Sequence, residues 1–237
     1  MGINHFTHLT QEEFIQTYLG FIAPESYENV EVAEDFKING DVNWIEAGAV
    51  TPVKDQGQCG SCWAFSTTGG LEGHSKIKNG ALENFSEQQL VDCSSRYGNQ
   101  GCNGGLMTSS FKFVKDNGIV HQDEYPYTAR QGACKTATGP YKIDGYVEVK
   151  DCNTLASRIN TAPISVAVDA SNWSAYRGGI FSTCGTRLNH GVTLVGTSEG
   201  NWWIKNSWST RWGENGLIRL KAGNTCGVCN MASHPNY

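Results

Sequence analysis

The sequence predicts an α+β fold of two lobes with a cleft between them, and three observations carry that prediction. Up to about Asn117 the apolar residues recur at helical spacing, with stop signals at Asn79-Gly80 and Gly118. Beyond Tyr141 the pattern changes to short apolar or alternating runs, Tyr146 to Val149, Ile164 to Val168, Val192 to Val195, Trp202 to Lys205 and Leu217 to Leu220, which read as strands. A helical half followed by an antiparallel β half implies segregated layers. Third, the longest helical stretch, Cys62 to Asn79, carries Gly69, Gly70 and Gly73 in its interior. Interior glycines weaken a helix, so something such as a second lobe must pack very close to this one.

Composition bounds the partners. With 237 residues, 39% hydrophobic and 17% charged, the chain can bury a sizeable core. No run approaches the ~20 apolar residues of a membrane span. A net charge of -5 and a pI near 5.7 disfavour nucleic acid, which leaves proteins and peptides in solution as partners. Nine cysteines and seven tryptophans are many for a reduced cytosolic protein. The odd count suits eight paired cysteines and one reactive thiol in an oxidising compartment.

Residues 1–37 differ from the rest. They hold Glu12, Glu13, Glu25, Glu28, Glu31, Glu34 and Asp35 against Lys37 alone, a balance of -6 that leaves +1 for the remaining 200 residues. That asymmetry predicts electrostatic docking, weakened as acid protonates the carboxylates. Thr10 to Leu19 reads as a short helix with Thr10 as cap and Glu13 three residues on, followed by an extended stretch. The start of the chain says nothing about targeting. From Val42 the main unit begins. Its second helix starts at Ser86, an N-cap with Gln89 at the third helical position, and a third spans Met107 to Asn117.

The chemistry centres on VKDQGQCGSCWAFS, Val53 to Ser66, where a Gly-punctuated turn delivers Cys62 to the start of the central helix. An unperturbed thiol, pKa ~8.5, is mostly protonated at neutral pH. The unpaired N–H groups and positive dipole end of a helix N-terminus favour the thiolate, and a nearby imidazolium does more. Gly57 and Gly60 let the chain bring Gln56 back beside Cys62, where its amide can donate to an oxyanion. Of six histidines, His190 stands just before a strand in the other half and is the candidate base.

These motifs, with VTPVKDQGQCGSCWAF, SEQQLVDC, GCNGGLM, LNHGV, WWIKNSW and WGENG following in order from about Ile38 onward, resemble the papain family of cysteine proteases in its cathepsin L-like branch. The resemblance implies a papain-like two-lobed fold. Residues 38–147 would form the mainly helical lobe with the nucleophile, and residues 148–237 a barrel-like β lobe with His190 and Asn206. It implies a thiolate-imidazolium pair of Cys62 and His190, Asn206 as orienter of the imidazole, Trp208 as its shield, and Gln56 with the Cys62 N–H as oxyanion hole.

The same resemblance places Gly104 and Gly105 along an extended substrate, with Trp212 also among the substrate-binding residues. It lines the second subsite with Leu106, Met107, Ala167, Leu188, Gly191 and Met231, an apolar set favouring Leu or Phe. The Cys102 to Cys134 spacing leaves no room for the loop that makes some relatives dipeptidases, so an endopeptidase is expected. Asn189 stands where the family has aspartate before the histidine. GINHF, through Gly2, Asn4 and Phe6, resembles a pro-region motif, with His8 in place of its acid. Residues 1–37 are therefore expected to be the C-terminal remnant of an inhibitory propeptide. The resemblance further implies a monomer without metal or cofactor, in a lysosome, a vacuole or the secreted medium.

Three bridges follow from the resemblance: Cys59 with Cys102, Cys93 with Cys134, and Cys184 with a cysteine near the C-terminus. Reading CGVCNMASHP without gaps selects Cys226 there. That strands Cys152 and Cys229, expected as a fourth bridge, with two buried free thiols as the alternative. Cys59-Gly-Ser-Cys62 and Cys226-Gly-Val-Cys229 also allow a redox or zinc-binding protein, although 163 residues separate Cys62 from Cys226. A silent binding protein is a further alternative. Taken singly, Cys62 could be a disulfide partner, Gln56 a turn residue, Asn206 a strand-end residue, and Trp208 and Trp212 core aromatics.

Overall fold

Helix α2, Cys62–Asn79, is the spine against which both halves pack in the computed structural model, which describes residues 3–236. Gly2 of the expected pro-region motif lies outside the described residues. The three interior glycines of α2 face the sheet. A Cβ on Gly69 would lie 2.3 Å from Thr193 Oγ1, one on Gly70 2.8 Å from Ser165 Oγ, and one on Gly73 2.5 Å from Pro163 Cγ. Helix backbone thus rests directly on strand side chains, and this close contact offsets the lost helix propensity.

Before α2 come helix α1, Gln11–Tyr18, and the two-residue strand β1, Val42–Asn43. The α1 cap is reciprocal: Thr10 Oγ1 accepts from Glu13 N at 3.2 Å and Glu13 Oε2 accepts from Thr10 N at 2.8 Å. After α2 follow α3, Glu87–Cys93, and α4, Met107–Asn117. Ser86 caps α3 by accepting from Gln89 N at 3.0 Å. The Gln89 side chain does not complete that box. Its amide bonds Val120 N and Thr136 O instead, fastening the helix to two loops.

The second half holds strands β2 (Gly145–Val149), β3 (Ile164–Val168), β4 (Ile180–Phe181), β5 (His190–Ser198), β6 (Asn201–Lys205), β7 (Leu217–Leu220) and β8 (Ala232–Asn236). They form one sheet in the order β2-β8-β3-β5-β6-β7-β4, with β1 pairing β5 off the path. All pairs are antiparallel except β4 with β7. Among the described residues the path has free ends at β2 and β4, so the barrel-like half is a sheet that does not close. A helix interrupts it: α5, Cys152–Arg158, capped by Asp151 Oδ1 accepting from Thr154 N at 2.7 Å.

The core has two clusters. One surrounds the sheet and includes Val166, Leu194, Ile204, Trp173, Trp202, Trp208 and Trp212; the other packs α2, α3 and α4 through Trp63, Leu71, Leu90, Phe111 and Val114. The N-terminal segment enters both, with Phe6 and Phe14 in the first and Phe21 in the second. Among the described residues no helix is long and apolar enough to cross a membrane.

Four disulfides join Cys59 to Cys102, Cys93 to Cys134, Cys152 to Cys229 and Cys184 to Cys226, leaving Cys62 free. Three of the four cysteines in the two C-x-x-C pairs are tied to distant partners. They offer neither a four-thiolate zinc site nor a redox dithiol, which removes the main chemical alternative. Thiol titration of denatured, unreduced protein is expected to count one reactive thiol; a count of three would mean that the Cys152–Cys229 bridge is absent.

Candidate active site

Cys62 is the first residue of α2 and fully buried, its sulfur accepting from Gly191 N at 3.3 Å. His190 opens β5 across the interface between the halves. Its Nε2 lies 2.8 Å from Asn206 Oδ1, which also accepts from Ser207 N at 2.8 Å. The Trp208 ring stacks on the imidazole at 4.7 Å and keeps this contact from water. His190 Nδ1 is buried without a protein hydrogen-bond partner.

Gln56 is fully buried beside them, its orientation fixed from both ends. Oε1 accepts from Ser207 Oγ at 2.7 Å and from Trp208 Nε1 at 3.2 Å. Nε2 therefore points the other way, donating to Cys59 O at 2.9 Å and Tyr18 O at 3.0 Å. Sequence reasoning missed Ser207 as the residue that sets the amide; its signal was its place between Asn206 and Trp208 in the NSW run.

A second group missed from sequence lies in the segment across the site. Gly105 N donates to Gly20 O at 2.9 Å, Ile22 N to Gly105 O at 3.1 Å, and Phe21 N to Asn189 O at 3.1 Å, forming a parallel bridge between Phe21 and Gly105. The Phe21 side chain packs in one cluster with Met107, Ala167, Leu188, Leu106 and Met231. Gly191 closes that pocket, since a Cβ there would lie 3.0 Å from Met107 Sδ. Gly104 presses against the same segment, where a Cβ would meet Ile22 Cγ1 at 2.7 Å. The expected apolar subsite residues thus share one cluster with Phe21. Trp212 is not with them: it is fully buried behind Trp208, ring centroids 5.0 Å apart, donating to Trp173 O at 3.0 Å.

Electrostatics follow from the cover. Burial pushes the Cys62 thiol up to about 11, against the N–H groups of Gly191 and Gly20 that favour thiolate. Burial pushes His190 down to about 4, with Asn206 partly opposing. In this covered state burial favours the neutral form of both groups, which works against the thiolate-imidazolium pair expected from sequence.

Docking of the segment is apolar. The rings of Phe6 and Phe14 meet Trp208 edge-on at 5.3 and 5.2 Å. Among the described residues no ion pair joins any of the seven acids to the rest of the chain. The expected electrostatic docking is therefore replaced by aromatic burial; the acids lie on the solvent side, and Glu13 is spent on its own helix cap.

Residues 38–236 match the family described as papain family cysteine protease. The chain belongs to that family. This papain-family chain is 45% identical over 241 residues to Cathepsin L 2 of Paramecium tetraurelia, covering 99% of the chain and 77% of that protein. Procathepsin L 3 of the Tenebrio molitor larval midgut superposes with a TM-score of 0.86 at 39% identity, covering 100% of this chain and 82% of that one. The Carica candamarcensis cysteine protease CMS1MS2, in complex with E-64, gives 0.77 at 41% identity, covering 83% of this chain and 97% of its own.

Because burial raises the Cys62 thiol and only its thiolate reacts, alkylation of Cys62 by iodoacetamide in the intact chain is expected to be slow and to rise with pH without a plateau near neutral pH. Displacing the segment should raise the rate by orders of magnitude. A fast reaction in the intact chain would show that Cys62 is not covered.

Proposed function

We propose that this papain-family cysteine endopeptidase cleaves proteins through a Cys62 thiolate and His190 imidazolium, and that residues 3–37 are the C-terminal part of a propeptide that holds it as a zymogen. One observation carries the reading: the segment's own carbonyls use up the donors that a substrate needs, Tyr18 O on Gln56 Nε2 and Gly20 O on Gly105 N. The comparisons support it. Procathepsin L 3 covers the whole chain, whereas the E-64 complex covers 83% of it.

With the segment gone, His190 takes the thiol proton and the sulfur attacks the substrate carbonyl carbon. Gln56 Nε2 and the Cys62 N–H stabilise the oxyanion, each donor contributing about 3 kcal/mol. His190 gives its proton to the leaving nitrogen as the C–N bond breaks, leaving a thioester. His190 then deprotonates a water, which attacks the thioester and returns the thiol. Asn206 Oδ1 holds the imidazole in plane. Gly105 and Asn189 O pair with the substrate backbone, and Leu106, Met107, Ala167, Leu188, Gly191 and Met231 receive a bulky apolar side chain. Residues 38–147 and 148–237 are read as the two lobes, and the disulfides favour an oxidising compartment, lysosomal or vacuolar, or secretion.

The test is hydrolysis of a Phe-Arg dipeptidyl reporter after acid incubation, with N-terminal sequencing of the product. Cys62→Ser and His190→Ala are each expected to lower kcat/KM by about 10³-fold or more, and Asn206→Ala by less, because it removes only orientation. Retention of more than a few per cent of turnover by Cys62→Ser would refute the nucleophile.

Release should be favoured by acid, through groups other than the exposed acids. Burial, then Arg211, holds His5 below its ordinary 6.5 in the docked segment. The stability this lends to docking is complete above 6.5 and is lost as pH falls through the docked value. His5→Asn is expected to flatten maturation rate against pH in the His5 window; an unchanged profile would exclude His5 as the sensor.

A further inference from the structure

Beyond the cleft, the segment is gripped a second time. From Pro24 to Ser26 it crosses an open space of about 980 Å³ bordered by Leu106, Glu148 and Lys150. It then lands on the β half. Tyr27 Oη donates to Thr186 O at 2.9 Å and accepts from Leu188 N at 3.0 Å, a pairing that needs a hydroxyl on an aromatic ring. Two residues on, a pair of asparagines takes over. Val30 N donates to Asn230 Oδ1 at 2.9 Å, and Asn224 Nδ2 donates to Val30 O at 3.1 Å, so one residue's backbone is read as a neighbouring strand would read it.

The orientations are not interchangeable. Within the β half, Cys229 N donates to Asn224 Oδ1 at 3.0 Å and Asn224 Nδ2 to Asn230 Oδ1 at 2.7 Å, so both amides are oriented without the segment. Both Nδ2 groups are thereby turned toward Asn29, whose Oδ1 accepts from Asn230 at 2.9 Å and Asn224 at 3.3 Å. Asn230 is buried, and the loop is pinned by Cys226 to Cys184 and by Cys229 to Cys152. A surface this constrained is organised before its ligand arrives.

We propose that Thr186, Asn224, Asn230 and the backbone N–H of Leu188 form a peptide-binding exosite that adjoins the second subsite of the catalytic cleft. Its ligand is an extended polypeptide reading Tyr-x-Asn or Tyr-x-Asp followed by an aliphatic residue. Residues 27–30 are its resident occupant. Once they leave, a protein substrate or inhibitor carrying that pattern takes their place, so the inference rests on the zymogen reading above. Aspartate fits at the third position because two amide donors converge there and nothing asks that side chain to donate.

The test uses the full chain, converted by acid and capped at Cys62 with a thiol-directed epoxide, then titrated with a fluorescent peptide of residues 24–33, which lacks Tyr18, Gly20 and Phe21, the residues that occupy Gln56, Gly105 and Asn189. Saturable binding is expected, weakened roughly five- to tenfold by Tyr27→Phe or Asn29→Leu in the peptide and kept or strengthened by Asn29→Asp. Absent saturable binding, or four peptides of equal affinity, would overturn the exosite. Should the chain not convert, the zymogen reading fails by itself. Amide exchange in the unprocessed Cys62→Ala chain then decides the grip: Leu188 N–H should exchange faster in Tyr27→Phe, and unchanged protection would overturn it.

Discussion

The contact between α2 and the sheet is the constraint on which the rest of the molecule depends. Because Gly69, Gly70 and Gly73 present bare backbone, the helix comes close enough for Ser66 Oγ to donate to Val192 O at 2.6 Å and Ser165 Oγ to Ser66 O at 2.7 Å. Those bonds fix the helix axis relative to β5. Cys62 at the start of one element and His190 at the start of the other are thereby brought to one seam, where Gly191 N donates to the Cys62 sulfur at 3.3 Å. A buried polar chain reinforces the seam: Lys205 donates to Thr51 Oγ1, Thr51 to Glu72, and Lys54 bridges Glu72 and Glu87. Burial works against the Lys54 ammonium, yet the two carboxylates hold its pKa above the ordinary lysine range. Lys205, without such a pair, is lowered by burial to about 8. Asn206, whose Oδ1 lies 2.8 Å from His190 Nε2, follows it directly, so that contact is anchored to both halves.

On the proposed zymogen reading, silencing the site requires no chemical change in it. The segment supplies a carbonyl to Gln56, a carbonyl to Gly105, a phenyl ring to the apolar pocket and two rings to Trp208. Each position is one that a substrate would also use. Removing water from around Cys62 and His190 then favours their uncharged forms, since an ion pair formed there must overcome the desolvation of both charges.

Much of this was legible in the sequence, for identifiable reasons. The helices α2, α3 and α4 carry periodicity and punctuation, and Thr10 with Glu13 announced the α1 cap. Cys62, His190, Asn206 and Gln56 were singled out together through the resemblance to the papain family, because a lone histidine, asparagine or glutamine carries no such signal by itself. Helix α5 was missed because seven residues give fewer than two periods, though Asp151 and the spacing of Cys152, Leu155 and Ile159 were its signal. Strand β1 is two residues long and pairs at a distance of some 150 positions, which no local pattern encodes. The segment looked poor in apolar residues because Phe6, Phe14 and Phe21 stand far apart; only tertiary contact makes them one docking surface. Tyr18 O and Asn189 O act through main chain and leave no side-chain trace.

Gly20 gives the inhibitory reading a genetic corollary. A Cβ at this position would lie 1.9 Å from Gly60 O and 2.4 Å from Gly60 C, in the turn that leads to the nucleophile. Backbone cannot yield there as a flexible side chain could. Any side chain at residue 20 therefore strikes the turn that the segment covers. On the proposed zymogen reading, a substitution at this codon loosens the cover instead of removing a catalytic group, so its effect would be a gain of activity where most substitutions bring a loss.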